Sequence, residues 1–161
     1  MRTGTPGHLK TFDYLGLHRY SLTFCADGRR PLFTDIDVVG LVLAQISRAA
    51  AQTQFAITAY CFMPDHLHLL AEGQSDASDC RVFIARLKQY SGFYYSKVFG
   101  DTLWQRYGFE HVLRDDELSM VVARYIMENP IRAGLAPRVE DYPFAGSLVY
   151  SLPDLLAGLY G

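Results

Sequence analysis

Two histidines separated by one residue, His66 and His68, are the feature of the sequence best suited to metal chemistry. They lie in the stretch MPDHLHLL, residues 63–70, which predicts a strand entered through a proline turn. Because successive side chains of a strand point to opposite faces, the two imidazoles share one face. Such a pair can hold one divalent cation and leave positions open for substrate oxygens. The spacing alone equally fits two surface histidines on a half-buried strand.

Length and composition favour one globular domain over residues 1–161. The chain has 161 residues, of which half are hydrophobic, and this is enough to bury a substantial core. No apolar run reaches the roughly 18 residues needed to cross a bilayer, and the N-terminus lacks the layout of a secretory signal. We therefore expect a cytoplasmic protein without a membrane partner. The three cysteines, Cys25, Cys61 and Cys80, show no Cys-x-x-Cys spacing, which favours reduced thiols.

The charge of the chain is small overall but uneven along the sequence. The formal net charge is −2, whereas residues 81–114 hold six basic residues and two acidic ones. A basic segment can bind phosphate groups, although a solvated helix face would carry the same charges. The predicted DNA contacts are Arg81, Arg86, Lys88, Arg106, Arg114 and Arg132.

Hydrophobic periodicity predicts the element order strand–helix–strand–strand–helix–strand, followed by one more helix. The order indicates an α+β fold of the ferredoxin-like (RRM-like) type, an antiparallel sheet with helices packed on one face. Residues 1–16 are expected to form a flexible arm and residues 136–161 a C-terminal tail. The predicted strands cover 17–25, 54–62, 66–72 and 109–113, and the predicted helices cover 35–51, 79–99 and about 117–128, where Pro130 ends the last one.

Three blocks in a fixed order carry a family resemblance. They are MPDHLHLL at 63–70, WQR at 104–106 followed by FEHVLR at 109–114, and YIMENPIRAGL at 125–135. Together they resemble the single-tyrosine transposases that carry the HUH motif, and more closely the REP-associated tyrosine transposases. The resemblance implies the ferredoxin-like fold, with an additional helix that carries Tyr125.

The same resemblance implies the roles of the site residues. Tyr125 would be the nucleophile that forms a 5′-phosphotyrosine, helped by His66 and His68 as ligands of Mg²⁺ or Mn²⁺. Asn129, one helical turn after Tyr125, is either a third ligand or a residue chosen for the geometry of the helix end. Glu110 and His111 belong to the same motif, and their role is either to support the site or to act as general acid and base.

The implied substrate is single-stranded DNA with a hairpin, as in repetitive extragenic palindromes. A monomer is expected, and a homodimer is the other arrangement found among relatives. Two further functions stay open. One is a hairpin-binding protein that has lost efficient cutting, and the other is a small metal-dependent hydrolase that uses His66, His68 and a carboxylate such as Glu72 or Glu110.

Overall fold

One antiparallel sheet forms the centre of the domain. The computed structural model describes residues 2–3, 14–107, 109–113 and 119–161. Six strands pair in the order β1-β5-β2-β4-β3-β6. The four longer strands are arranged as fourth, first, third and second in chain order, which is the ferredoxin-like topology. The predicted fold is therefore confirmed. The strands are β1 (Arg2–Thr3), β2 (Arg19–Cys25), β3 (Phe55–Met63), β4 (His66–Gly73), β5 (Phe109–Val112) and β6 (Ala145–Gly146).

Helices cover both faces of this sheet. The helices α1 (Ile36–Thr53) and α2 (Cys80–Phe99) pack together on one face. The helix α3 (Ser119–Met127) lies on the other face against β3 and β4, beside the C-terminal helix α5 (Leu152–Tyr160). A single turn, α4 (Asn129–Arg132), follows α3 and contacts β3. The additional helix expected to carry Tyr125 is thus present on the face opposite α1 and α2.

The alternation of side chains along β4 assigns the histidines to one of these faces. Leu67 and Leu69 are fully buried in the core beneath α1 and α2. Leu70 belongs instead to the second core, beneath α3 and α5. Because the side chains alternate, His66 and His68 lie on the α3 face with Leu70.

A bulge in β3 brings a second row of side chains to the α3 face. The pairing of β3 with β4 shifts between Ile57 and Ala59, so Thr58 is an extra residue in the strand. Before the bulge Ile57 faces α1 and α2, and after it Cys61 and Met63 face α3. One extra residue inverts the facing of every later side chain, so the bulge places Cys61 opposite His68.

Side-chain caps fix the starts of the two long helices. Asp35 accepts a hydrogen bond from the amide of Asp37, and Asp79 accepts one from the amide of Arg81. These contacts satisfy amide groups that have no partner within the first helical turn. Glycine at position 100 then ends α2 in the left-handed conformation, at φ 73°.

The helix is interrupted between α3 and α4 and does not continue as one element. Helix α3 ends at Met127, and the following residue, Glu128, has a φ of −89° and a ψ of 0°. Pro130 stands in the first turn of α4, where its missing N–H group costs no helical hydrogen bond. The predicted stop before Pro130 is confirmed, and the short turn after it brings Arg132 back towards α3.

Both ends of the described chain are more ordered than the sequence predicted. Tyr14 is buried and its ring stacks on Tyr20, so the part of the predicted arm around Tyr14 belongs to the core. Arg2–Thr3 pairs with β5, whereas residues 4–13 lie outside the described residues. The predicted tail contains α5, whose Leu155 and Leu159 are buried beneath α3. Burial of these apolar side chains explains the order at both ends.

No helix in the described part of the chain combines the length and the apolar character needed to cross a bilayer.

Candidate functional site

His66 and His68 meet on the α3 face of β4. Their Nε2 atoms are 3.0 Å apart, and the two rings are nearly perpendicular, at 89°. Both side chains are partly buried, so neither is a freely mobile surface group. The structure therefore brings together the two imidazoles that the sequence predicted as a pair.

Each histidine has a second partner at its Nδ1 atom. His66 Nδ1 lies 2.6 Å from Asp65 Oδ1, and His68 Nδ1 lies 3.0 Å from Thr23 Oγ1. The other carboxylate oxygen of Asp65 accepts a hydrogen bond of 2.9 Å from Arg29 Nε. Polar partners thus flank the pair on both sides, and none of them was predicted as a site residue from the sequence.

Burial and neighbouring charges shift the pKa values of His68 and Asp65. Burial, followed by the charges of His66 and Arg132, lowers the pKa of His68 to about 4. His68 is therefore a neutral imidazole near pH 7. Burial alone would raise the pKa of the Asp65 carboxyl group, but hydrogen bonds from His66 and Arg29 outweigh it and lower the pKa. Asp65 is therefore an anion beside His66.

Tyr125 stands on the exposed side of α3. It is 60% exposed, while the next two residues, Ile126 and Met127, are buried against the sheet. The two buried side chains hold the helix on the sheet and leave the phenol free to meet a substrate. At the far end of α3, Ser119 Oγ lies 3.3 Å from Glu72 Oε1.

Arg132 contacts both other site residues of the YIMENPIR stretch, Tyr125 and Asn129. Its guanidinium carbon lies 3.9 Å from the centre of the Tyr125 ring, the geometry of a cation–π contact. Its Nη2 group donates to the Tyr125 carbonyl oxygen, and also to Asn129 Oδ1 at 3.0 Å. The same positive charge lowers the pKa of His68. Tyr125 and Asn129 thus share one cationic neighbour, and its charge also acts on His68.

Asn129 is oriented at the start of α4. Its Nδ2 group donates to the Ile126 carbonyl oxygen at 3.1 Å, and its Oδ1 atom accepts from Arg132. An amide oxygen has two lone pairs, so Oδ1 retains one after the Arg132 contact. The bonding is compatible with either predicted role, as a metal ligand or as a residue of the helix junction.

The donor atoms of the pair suit a divalent cation. A carboxylate accepts hydrogen bonds, so Asp65 holds the proton of His66 on Nδ1 and leaves its Nε2 lone pair free. That lone pair and His68 Nε2 converge on the same point. Among the residues described, no cluster of three or more His, Cys, Asp and Glu side chains is present. Within the described residues, the further ligands of a cation on this pair would be amide oxygens, beside water or substrate oxygens.

The carboxylate proposed for a hydrolase is remote from the pair. Glu72 lies four residues after His68 along β4, which corresponds to about 13 Å of strand. It is engaged there with Ser119. The other candidate, Glu110, lies in β5 with His111, paired with Leu22 and Ser21. The supporting roles of Glu110 and His111 stay predictions.

The predicted DNA contacts that the structure describes lie on both faces of the sheet. Arg81, Arg86 and Lys88 lie on α2, on the face of the sheet away from the histidines. Arg106 is exposed, with its guanidinium carbon 5.3 Å from the centre of the Tyr107 ring. Arg114 lies outside the described residues. Among the predicted contacts that the structure describes, Arg132 is the one that touches Tyr125.

The comparison with sequence families gives a match that covers most of the chain. Residues 15–129 match the family described as IS200-like transposase. This range includes the histidine pair, Tyr125 and Asn129, and it ends before α4 is complete. A Haemophilus influenzae protein assigned as a REP-associated tyrosine transposase is 30% identical over 102 residues. The aligned part is 56% of this chain and spans only 58% of that curated relative.

Solved structures share the fold. A REP-associated tyrosine transposase bound to a REP hairpin superposes with a TM-score of 0.75 at 21% identity, over 96% of this chain and 88% of that one. A Deinococcus radiodurans R1 protein assigned as a transposase gives a TM-score of 0.52 at 23% identity, over 76% of this chain and 97% of that one. The resemblance predicted from the three sequence blocks is confirmed. The chain belongs to the family of IS200-like transposases.

Proposed function

We propose that this protein is a metal-dependent single-stranded DNA endonuclease and strand transferase that acts on hairpin-containing DNA. Tyr125 is the nucleophile in this proposal, and His66 and His68 bind the cation. The observation that carries it is a pair of histidines whose Nε2 atoms lie 3.0 Å apart on the sheet face covered by α3, the helix on which Tyr125 is exposed and contacts Arg132. Membership of a transposase family supports the choice of DNA as substrate.

In the proposed reaction, the scissile phosphorus of the DNA is transferred from the 3′ oxygen of a sugar to the tyrosine. Tyr125 Oη attacks the scissile phosphorus, and an O–P bond to the phenol forms while the bond from phosphorus to the 3′ oxygen breaks. The phenol loses its proton, and the departing 3′ oxygen gains one. The products are a 5′-phosphotyrosine and a free 3′-OH. The reverse attack by another 3′-OH restores the phosphodiester and joins DNA without an external energy source.

The residues around Tyr125 supply positioning and charge. The exposed guanidinium of Arg132 can bind the scissile phosphate by charge-assisted hydrogen bonds while its stem stays beside the tyrosine. Mg²⁺ or Mn²⁺ on His66 and His68, with Asn129 as a third ligand, would neutralise the charge of the phosphate during its transfer to the tyrosine. The neutral state of His68 near pH 7 supports this role, because a protonated imidazole cannot bind a cation.

The hairpin part of the proposal rests on relatives. One protein of the same fold is bound to a REP hairpin, and we extend that substrate class to this chain. A monomer is the proposed state, with the tyrosine and the histidines supplied by one chain, and a homodimer is the alternative. We also propose that the protein is cytoplasmic, because its proposed substrate is DNA.

Covalent capture of DNA tests the proposal. Purified protein is incubated with labelled single-stranded hairpins from its own genomic neighbourhood, with Mg²⁺, Mn²⁺ or EDTA, and resolved on a denaturing gel. We expect a slower, metal-dependent protein–DNA band that Tyr125→Phe abolishes. The matched control is Tyr94→Phe, an exposed tyrosine on α2 at the opposite face, which keeps the band.

Two other outcomes would redirect the proposal. Hairpin binding without a covalent band for any metal or flanking sequence would favour the hairpin-binding protein that has lost efficient cutting. Metal-dependent turnover that survives Tyr125→Phe would favour the hydrolase.

A further inference from the structure

Five side chains form one continuous hydrogen-bonded row across the histidine pair. The order is Arg29, Asp65, His66, His68 and Thr23, and the four contacts measure 2.9, 2.6, 3.0 and 3.0 Å. We infer that Asp65 and Thr23 are the positioning residues that fix the ring orientation and tautomer of the two histidines for cation binding. This inference rests on the metal centre of the proposed function.

Asp65 fixes the His66 half of the row. The residue lies in the two-residue turn between β3 and β4, directly before His66. Both carbonyl groups of that turn are bound, because Pro64 O accepts from the Phe33 amide and Asp65 O accepts from the Ala26 amide. With the turn held in place, Arg29 fixes one carboxylate oxygen and the other receives the Nδ1 proton of His66. The Nε2 lone pair of His66 is thereby aimed at His68.

Thr23 fixes the His68 half and can serve two tautomers. It is opposite His68 in the pairing of β2 with β4 and is 8% exposed, so its hydroxyl group has a defined place. Without a cation, the Nε2···Nε2 contact needs one proton between the rings. His68 then carries that proton on Nε2, and the Thr23 hydroxyl donates to Nδ1. With a cation on Nε2, His68 would carry its proton on Nδ1, and the same hydroxyl would accept it.

Asp65 and Thr23 differ in the hydrogen bonds that they can form with the two histidine rings. A carboxylate accepts only, so Asp65 holds His66 in the same tautomer with and without a cation. A hydroxyl donates or accepts, so Thr23 keeps its bond to His68 through the change of tautomer. The row would therefore keep both rings oriented with and without a cation. In metal sites, such outer partners typically change metal affinity by about ten- to hundredfold.

The test measures ion affinity in the full-length protein without DNA. Mn²⁺ binding is followed by the loss of the free-ion EPR signal, and Co²⁺ binding by its visible absorption, since imidazoles bind Co²⁺ more tightly. We expect Asp65→Ala and Thr23→Val each to weaken binding by about tenfold or more. Asp65→Asn and Thr23→Ser keep an acceptor or a hydroxyl group, so both should recover most of the affinity.

Two controls separate positioning from general damage to the fold. Asp101 forms a similar ion pair with Arg30, at 2.6 Å, but contacts no histidine in the described structure, so Asp101→Ala should bind both ions as the wild type does. Unfolding of each variant in denaturant without metal shows whether it is folded at the temperature of the titration, and a folded variant is required for each comparison.

The outcomes distinguish this inference from the proposed function. Wild-type affinity in folded Asp65→Ala and Thr23→Val would overturn the positioning roles and leave the proposed metal centre intact. Failure of the wild type to bind either ion, or unchanged binding in His66→Ala, would instead overturn the metal centre and the inference that rests on it. Covalent capture by Tyr125 is measured separately on the gel.

Discussion

The low pKa of His68 predicts how the stability of the metal-free protein depends on pH. The pKa of His68 is about 4 in the folded protein, against an ordinary value of 6.5. Each tenfold change in proton affinity is worth about 1.4 kcal/mol, so the difference corresponds to about 3 kcal/mol. A lowered folded-state pKa stabilises the protein above the unfolded-state pKa. This stability is lost as the pH falls from about 6.5 towards 4, because the unfolded chain takes up the proton first.

The assay is urea unfolding of metal-free protein at several pH values between about 7 and 4, followed by far-UV circular dichroism. We expect the unfolding free energy of the wild type to fall by about 3 kcal/mol more than that of His68→Gln over this range. Asp65 does not obscure the comparison, because the stability from its lowered pKa is lost only below its ordinary value of 3.8. Parallel pH profiles for the two proteins would refute the assignment of a neutral, buried His68.

The remaining predictions concern packing and the nucleophile helix. Ile126→Ala should lower the unfolding free energy by about 2–5 kcal/mol in urea, because a buried side chain beside Tyr125 is lost, and a cost below about 1 kcal/mol would contradict the packing of α3 on the sheet. Gly73→Ala should cost about 1–3 kcal/mol, because the new Cβ would lie 2.1 Å from the Gly16 carbonyl oxygen, and wild-type stability would contradict that close approach. Arg132→Gln should slow covalent capture of hairpin DNA by about tenfold or more. The control Arg48→Gln, on the other face of the sheet, should not, and equal rates for the two variants would contradict the role of Arg132.

The sequence was most informative where structure is local. The predicted helices start at Asp35 and Asp79, which the structure shows as their caps, and Pro130 marks the end of α3. Alternation along MPDHLHLL correctly placed both histidines on one face. These features depend on residues within one helical turn or along one strand, so the pattern of side chains is sufficient to predict them.

The contacts that complete the site join residues far apart in the sequence. Thr23 meets His68 across 45 positions, and Arg29 meets Asp65 across 36. Both depend on how β2 pairs with β4 and on the loop after β2, and neither a motif nor a periodicity specifies that register. The bulge at Thr58 could not be predicted from the sequence for the same reason, although it decides which side of β3 faces α3.

The C-terminal helix was missed despite a signal in the sequence. Leu152, Leu155, Leu156 and Leu159 recur at helical spacing, and Ser151 caps the helix by accepting from the Asp154 amide. Arg124 on α3 donates to the Leu159 carbonyl oxygen, and Tyr160 donates from its hydroxyl group to Glu128. Residues 136–161 were predicted as a tail of turns and short pieces. A nine-residue helix is marginal alone, and packing on α3 stabilises it.

The identity of the residue joined to DNA tests the central claim most directly. Protein is trapped with a hairpin oligonucleotide, treated with nuclease and digested with trypsin, and the peptides are sequenced by mass spectrometry. Cleavage after Arg124 and Arg132 gives the peptide YIMENPIR, in which Tyr125 is the only tyrosine. We expect the mass of a 5′-phosphonucleotide on this peptide, carried by Tyr125. An adduct on any other residue, or cleaved DNA without an adduct, would contradict the phosphotyrosine mechanism.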